Sequence, residues 1–255
     1  MLFNSHAFIF LFLPVAFALF FLFARVSTLL AAGWLAAASL FFYGWWNPAY
    51  VALLLASIVG NYFAGFAMAR AADPARKKRL LIAAITINIA LLAYYKYCNF
   101  FLSNIATAFG TAPPQVEIIL PLGISFFTFQ SLSYSIDFYR GRVHRERNFI
   151  RFAAFVSFFP QLMAGPIERA AHLLPQFYVF PKIRPQDITD GLSLFLVGLF
   201  KKLALANYLS YYVERIYDQP KAYGAPALIL GTVAFAWQIF FDFSGYTDKI
   251  GRAHV

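Results

Sequence analysis

Residues Leu120–Gly141 read LPLGISFFTFQSLSYSIDFYRG. The run is apolar and aromatic over the length of a bilayer-spanning helix, ~20 residues. It nevertheless carries polar side chains at helical spacing. Thr128, Ser131 and Ser135 share one face at i, i+3 and i+7. Gln130, Ser133 and Asp137 share a neighbouring one. A helix surrounded by lipid would not carry such stripes, so this one is expected to face protein or a hydrated cavity. These residue types suit interhelical hydrogen bonding, worth ~0.6 kcal/mol per contact, as well as they suit a functional pathway. Asp137 and Arg140 are spaced for an ion pair along the helix.

The rest of the chain puts that run among many like it. Its 255 residues are 61% hydrophobic, 20% aromatic and 13% charged, with a mean hydropathy of +0.65. Soluble domains are roughly a quarter charged, and a soluble protein this apolar would expose large aggregating patches. The expected fold is all-α: a polytopic transmembrane helical bundle of about 7–8 apolar segments. The candidate segments are 7–24, 28–46, 49–69, 80–98, 118–138, 149–165, 188–206 and 226–243. Asn47-Pro48 separates the second from the third, because proline disfavours helix before it. The run from Phe149 holds Pro160 and meets Gly165-Pro166, so it either spans or is re-entrant.

The net charge of +10 is carried in short clusters between apolar runs. Arg70 with Arg76-Lys77-Lys78-Arg79 forms one; Arg140, Arg142, Arg145, Arg147 and Arg151 form another. That is the pattern of positive-inside loops, whereas a nucleic-acid-binding domain gathers its basic residues on one face. Both clusters are therefore assigned to the cytoplasmic side. Asn99–Glu117, without Lys or Arg, is assigned to the outside. Met1–His6 lacks the positive charge that precedes the apolar core of a cleavable signal, so the first helix is read as retained, with the N-terminus outside. The single cysteine, Cys98, excludes an intrachain disulfide and a cysteine-based metal cluster. No internal repeat marks a repeat-built transporter.

Three further stretches put polar groups against apolar runs. FPQLMAGPIER, Phe159–Arg169, holds Gln161 and the Gly165-Pro166 break. It reads as a helix end or as a re-entrant element lining a site. GLFKKLALAN, Gly198–Asn207, places Lys201 and Lys202 inside an apolar run. Snorkelling to the interface is the simplest reading of those lysines. FDFSGYTD, Phe241–Asp248, brings Asp242, Ser244, Tyr246 and Asp248 to the end of an apolar run. Two carboxylates with Ser and Tyr between them either end a helix or position a substrate or base. His6, His144, His172 and His254 all lie outside the middle of any span, and no metal-ligand set is present. G-x-S-x-G, P-loop, G-x-G-x-x-G and H-E-x-x-H motifs are absent.

Together with FFYGWWNPAY at Phe41–Tyr50, these stretches resemble the membrane-bound O-acyltransferase (MBOAT) family, nearest its bacterial alginate O-acetyltransferase branch. Five motifs in the family's order cover the chain nearly end to end. The resemblance implies acyl transfer at a membrane-embedded cavity, in a multi-pass protein of the bacterial inner membrane. An acyl group, acetyl first, would end on hydroxyls of an exported or cell-surface polysaccharide. The implied donor is acetyl-CoA or another acyl thioester, with no bound cofactor. Implied partners are membrane lipid and a periplasmic or extracellular acyl-accepting protein with its polysaccharide, with no nucleic acid. Thr128, Gln130, Ser131, Asp137, Arg140, Gln161, Gly165, Pro166, Asp242, Ser244, Tyr246 and Asp248 are the expected cavity-lining residues. The family's catalytic base is a histidine in a Trp-His type motif downstream of FDFSGY, and no histidine in this sequence is matched to it. No catalytic residue is therefore assigned.

Residues 1–248 are accordingly read as the N-terminal part of one such membrane domain. Ile250–Val255 back-translates to a stretch that resembles a short-read library adapter, so 249–255 is read as a non-native tail and left out of the fold. A D-alanyl transferase for teichoic acid, of the same family, is the nearer alternative. A channel or transporter, with the polar stripes lining its pathway, is the alternative of another class.

Overall fold

The computed structural model describes residues 3, 5–111, 116, 118–162, 168–182 and 184–250, the last two by backbone alone. It is 81% helical, and no strand occurs among the described residues. These residues form two compact units, one running to Pro181 and one from Lys182 onward.

The first unit is a helical bundle. Its elements are α1 (Phe8–Ala24), α2 (Thr28–Gly44), α3 (Ala49–Arg70), α4 (Pro74–Ala108), α5 (Ile124–Tyr139), α6 (Phe149–Ser157), α7 (Phe159–Leu162) and α8 (Ala170–Gln176). Local chemistry sets the starts. The Ser27 hydroxyl accepts from the Leu29 N–H at the head of α2. Asp73 accepts from the Ala75 and Arg76 N–H groups at the head of α4, where Pro74 occupies the first turn. Both supply partners for donors that a helix start leaves unpaired. Among the described residues, α3 and α4 of this unit are long and apolar enough to cross a bilayer; α1 and α2 are apolar but shorter.

Several expected boundaries move, each for a visible reason. The basic run Arg76–Arg79, read as a loop, lies inside α4, because the Asp73-Pro74 cap starts the helix ahead of it. Asn99–Ala108, read as outside loop, continues the same helix. At 35 residues α4 is ~52 Å long, well beyond the ~30 Å apolar core. The fifth segment starts at Ile124 rather than at 118, since Gly123 adopts a left-handed φ of 72° and breaks helical continuity. The sixth does not run to 165: α6 spans nine residues, ~14 Å, and the chain leaves helical geometry at Phe158. It is too short to span. Its break is buried in protein, and the freed Phe159 N–H donates to the Ser39 hydroxyl at 3.1 Å. That is the condition under which irregular backbone is tolerated at depth.

The core has two aromatic clusters. Phe8, Phe12, Phe42 and Phe159 meet with ring centroids 5.2–6.2 Å apart. Tyr62, Tyr134, Phe152 and Phe155 form the second. Between α3 and α4, Asn61 and Asn88 exchange amide hydrogen bonds of 3.1 and 2.9 Å, both side chains buried. Asn61→Leu is expected to destabilise the chain by about 1–3 kcal/mol, since the Asn88 amide loses its partner. Asn61→Leu/Asn88→Leu should recover most of that loss. Thermal unfolding in detergent checks this, and a double variant as weak as the single would remove the amide pair as the cause.

The basic ends lie together. Arg70 and Arg145 both stack on Phe66, at 4.1 and 5.0 Å from its ring centre, and Lys77 approaches Phe138 and Tyr139. The loop between α5 and α6 is organised by the buried carboxylate of Glu146. It accepts from the Tyr178 hydroxyl at 2.7 Å and the Asn148 N–H at 2.8 Å, while the Glu146 N–H donates to the Tyr134 hydroxyl. Arg151 lies 3.7 Å from the Tyr178 ring centre and donates to the Phe177 carbonyl and the Thr28 hydroxyl. Loss of water around the phenol, then its hydrogen bond to Glu146, raises the Tyr178 pKa above its ordinary value.

The second unit is a helical hairpin. α9 is continuous from Pro185 to Asp218, and α10 runs Ala225–Ile250. α9 starts at Pro185, where the Asp187 carboxylate accepts from the Arg184 N–H. Both helices are long and apolar enough to span. The expected segments 188–206 and 226–243 start within three residues of these helices but stop short of their ends, because polar, Tyr- and Ser-containing turns extend each helix beyond its apolar run. Within α9, Lys201–Ala206 winds as a π-helix.

Candidate functional site

The residues singled out by sequence fall into two groups, one in each unit. Gly165 and Pro166 lie outside the described residues.

In the first unit, α5 turns its polar stripe into protein. Thr128, Ser131 and Ser135 are fully buried, and Gln130, Asp137 and Gln161 nearly so. Gln130 donates to the Gln161 carbonyl at 3.4 Å. The two amides flank a cavity of about 10 Å³ closed by Phe126, Phe127, Val156 and Leu162, the size of a single water. The hydroxyls of Thr128, Ser131 and Ser135, the Tyr43 hydroxyl and the Gln161 amide nitrogen find no hydrogen-bond partner among the described residues. Buried polar atoms of this kind are ordinarily satisfied by protein or by ordered water, and the cavity beside the two amides is large enough for one.

Asp137 pairs with Arg142, at 3.7 Å, rather than with Arg140 as its spacing suggested. The reason is the helix end. Gly141 takes a left-handed φ of 72°, the Arg142 N–H returns to the Asp137 carbonyl and the Gly141 N–H to that of Phe138. This Schellman turn folds the chain back over the last turn of α5 and leaves Arg140 exposed.

In the second unit the opening residues of the π-helix meet the FDFSGYTD stretch. The Lys201 ammonium donates to Asp248 at 2.6 Å and to the Ser244 hydroxyl at 2.9 Å. Lys202 pairs with Asp242 at 2.6 Å. Asp242, Gly245 and Asp248 recur every three residues, so they share one face of α10. Gly245 lets the helices approach: a Cβ there would lie 2.7 Å from the Gly198 carbonyl oxygen. Small residues at a helix crossing permit such backbone contact in membranes, and π turns recur at functional sites. Tyr246 is half-buried beside them. The side-chain amide oxygen of Gln238, one turn earlier on α10, is buried with no hydrogen-bond partner among the described residues.

The lysines were read as snorkelling and left out of the expected site. One signal was available: two cations in one apolar run and two carboxylates in the next. Their mutual neutralisation removes the need for either helix to bring its charges to an interface. Chemically the cluster holds ammonium donors and carboxylate acceptors in fixed positions. Among the described residues no group of three or more His, Cys, Asp or Glu is placed to hold a metal ion.

An all-helical chain with four bilayer-length apolar helices and charge pairs set inside two of them is a helical membrane protein. Its relatives place it further. It is 35% identical over 97% of its length to the peptidoglycan O-acetyltransferase of Helicobacter pylori, covering 52% of that protein. It is 38% identical, again over 97%, to the probable alginate O-acetylase AlgI of Pseudomonas aeruginosa, covering 48%. A weaker likeness, 24% over 69% of the chain, links it to the teichoic acid D-alanyltransferase of Lacticaseibacillus rhamnosus, covering 50%. These relatives agree with the membrane-bound O-acyltransferase resemblance carried by the five motifs. The chain spans about half the length of the curated relatives it matches. No protein-family model and no solved structure matches it.

Proposed function

We propose that the protein is a membrane O-acyltransferase that places acetyl groups on hydroxyls of an exported or cell-surface polysaccharide. The observation that carries this reading is the 35–38% identity, over 97% of the chain, to relatives named for polysaccharide O-acetylation. The meeting of the GLFKK and FDFSGYTD stretches through two ion pairs adds support, since it makes one structural unit of two of the motifs. The protein acts as a multi-pass component of the bacterial inner membrane. It takes its acyl group from acetyl-CoA or another acyl thioester and passes it outward to an acyl-accepting protein and the polysaccharide. Each unit, taken by itself, offers a polar face suited to an acyl route: the α5 stripe with the Gln130–Gln161 pair in the first, and the Asp242–Asp248 face in the second. O-acetyl transfer is favoured over D-alanyl transfer because the O-acetylating relatives match more of the chain, at higher identity.

Disruption of the chromosomal gene tests the proposal. Ester-linked acetate on the cell-surface polysaccharide, released by mild alkali and quantified by NMR, should fall to background and return on complementation. Unchanged acetate would sink the reading, and loss of ester-linked D-alanine instead would move it to the alternative.

A further inference from the structure

We propose that the basic end of the first unit holds a specific site for a phosphate group, occupied by the headgroup of an anionic phospholipid. The site is a pocket of about 430 Å³ lined by Arg142, His144, Arg145, Glu146, Ala171 and Tyr178, among others. Its volume is in the range of small-molecule sites. Arg142, His144 and Ala171 are exposed, so the pocket opens outward. It is distinct from the α5 stripe and from the lysine–aspartate face of the second unit.

Three features point to phosphate. The first is charge: the lining carries Arg142 and Arg145, with His144 between them, against the single acid Glu146. Guanidinium groups match phosphate oxygens through paired N–H donors. The second is that the one lining acid is already engaged. Glu146 is 5% exposed and its carboxylate accepts from Tyr178 and Asn148, so its oxygens are committed inside the loop rather than to the lining arginines. Its hydrogen bonds instead fix the loop that presents Arg142, His144 and Arg145. The third is place. Arg70, Lys77 and Arg145 gather on aromatic rings at this same end, which the positive-inside rule assigns to the cytoplasmic leaflet, where anionic headgroups concentrate. Basic pockets among membrane helices on that side are suited to such headgroups. Asp137 holds Arg142 only at 3.7 Å, with the arginine side chain 55% exposed, so this guanidinium is open to a second acceptor.

The test uses the full chain in nanodiscs of zwitterionic lipid, titrated calorimetrically with dihexanoyl phosphatidylglycerol and, separately, with inorganic phosphate. Wild type should bind the short-chain lipid saturably. His144→Gln/Arg145→Gln should weaken binding at least about tenfold, as loss of charged hydrogen bonds implies. Arg76→Gln/Lys78→Gln, which removes at least as much charge at the same end but outside the pocket, should change it less than about threefold. Ala171→Trp fills the pocket without altering charge and should abolish binding, so the outcome does not hang on one double variant. Inorganic phosphate competing at the same site with equal affinity would keep the site and make a soluble phosphate ester its ligand. No saturable binding of either probe, or equal weakening by both pairs of charge removals, overturns the proposal.

Discussion

Gly245→Ala should lower the stability of the chain by about 1–3 kcal/mol or more, the cost of overpacking a tight interior. The added methyl would sit 2.7 Å from the Gly198 carbonyl oxygen, 3.1 Å from the Lys201 Cβ and 3.2 Å from the Lys202 nitrogen. Two of these three are backbone atoms of α9, so no side-chain rotation relieves the contact. α9 and α10 must separate, and separation stretches the two lysine–aspartate pairs that flank the glycine. Gly60→Ala is the matched control. A methyl carbon on that helical glycine would meet nothing within 4 Å, and alanine there should add about 0.5–1 kcal/mol through helix propensity. Thermal unfolding of both variants in the same detergent gives opposite signs if the helices approach as described. A Gly245→Ala protein as stable as Gly60→Ala would mean that α9 and α10 do not cross at this point.

Lys201→Met should be the most damaging single charge removal. It leaves Asp248 without its cation and Ser244 without its donor. Breaking a fully buried pair costs roughly 3–5 kcal/mol, and an exposed one contributes under ~1 kcal/mol. The Lys201 and Asp248 side chains are 27% and 24% exposed, which places the loss between these limits, at about 2 kcal/mol. Lys201→Met/Asp248→Leu should regain most of the stability, because a well-packed apolar pair replaces a buried ion pair at little net cost. Acetate transfer separates structure from function. If the double variant is stable and active, the pair only joins the helices. If it is stable and inactive, the charges serve the reaction. A double variant no more stable than the single would show that the two groups do not act as a pair.

Helix starts were legible where a side chain supplies the cap or a proline blocks the turn before it. α2 and α3 run within two residues of the segments read from sequence, bounded by Asn47-Pro48 between them. Boundaries failed where they rested on polarity. Arg76–Arg79 and Asn99–Ala108 are polar or mixed, yet both belong to α4. A helix once nucleated extends through such residues cheaply, since each adds a hydrogen bond for one residue fixed. Phe149–Gly165 was read as either a span or a re-entrant element, and only the continuous span fails, because the chain leaves helical geometry at Phe158. Its apolarity marks burial in the bundle, as Phe152, Ala154 and Phe155 show at 0% exposure, and burial in protein does not require the length of a membrane span. The polar stripe of α5 was visible because helical periodicity alone puts Thr128, Ser131 and Ser135 together.

By itself the sequence determined that this is an all-helical membrane protein, which runs are helical, and which helix faces are polar. These follow from apolarity, length and period, properties of a segment that need no partner. Only the tertiary structure decided which charges meet. Lys201 finds Asp248 and Lys202 finds Asp242 across 47 and 40 residues of chain, and Asp137 takes Arg142 rather than Arg140. Those choices depend on a π turn that redirects two lysines, on a glycine that lets two backbones touch, and on a left-handed residue that folds the chain back. A charge within an apolar run announces that it needs a counter-charge; which one it receives is set by where the helices cross.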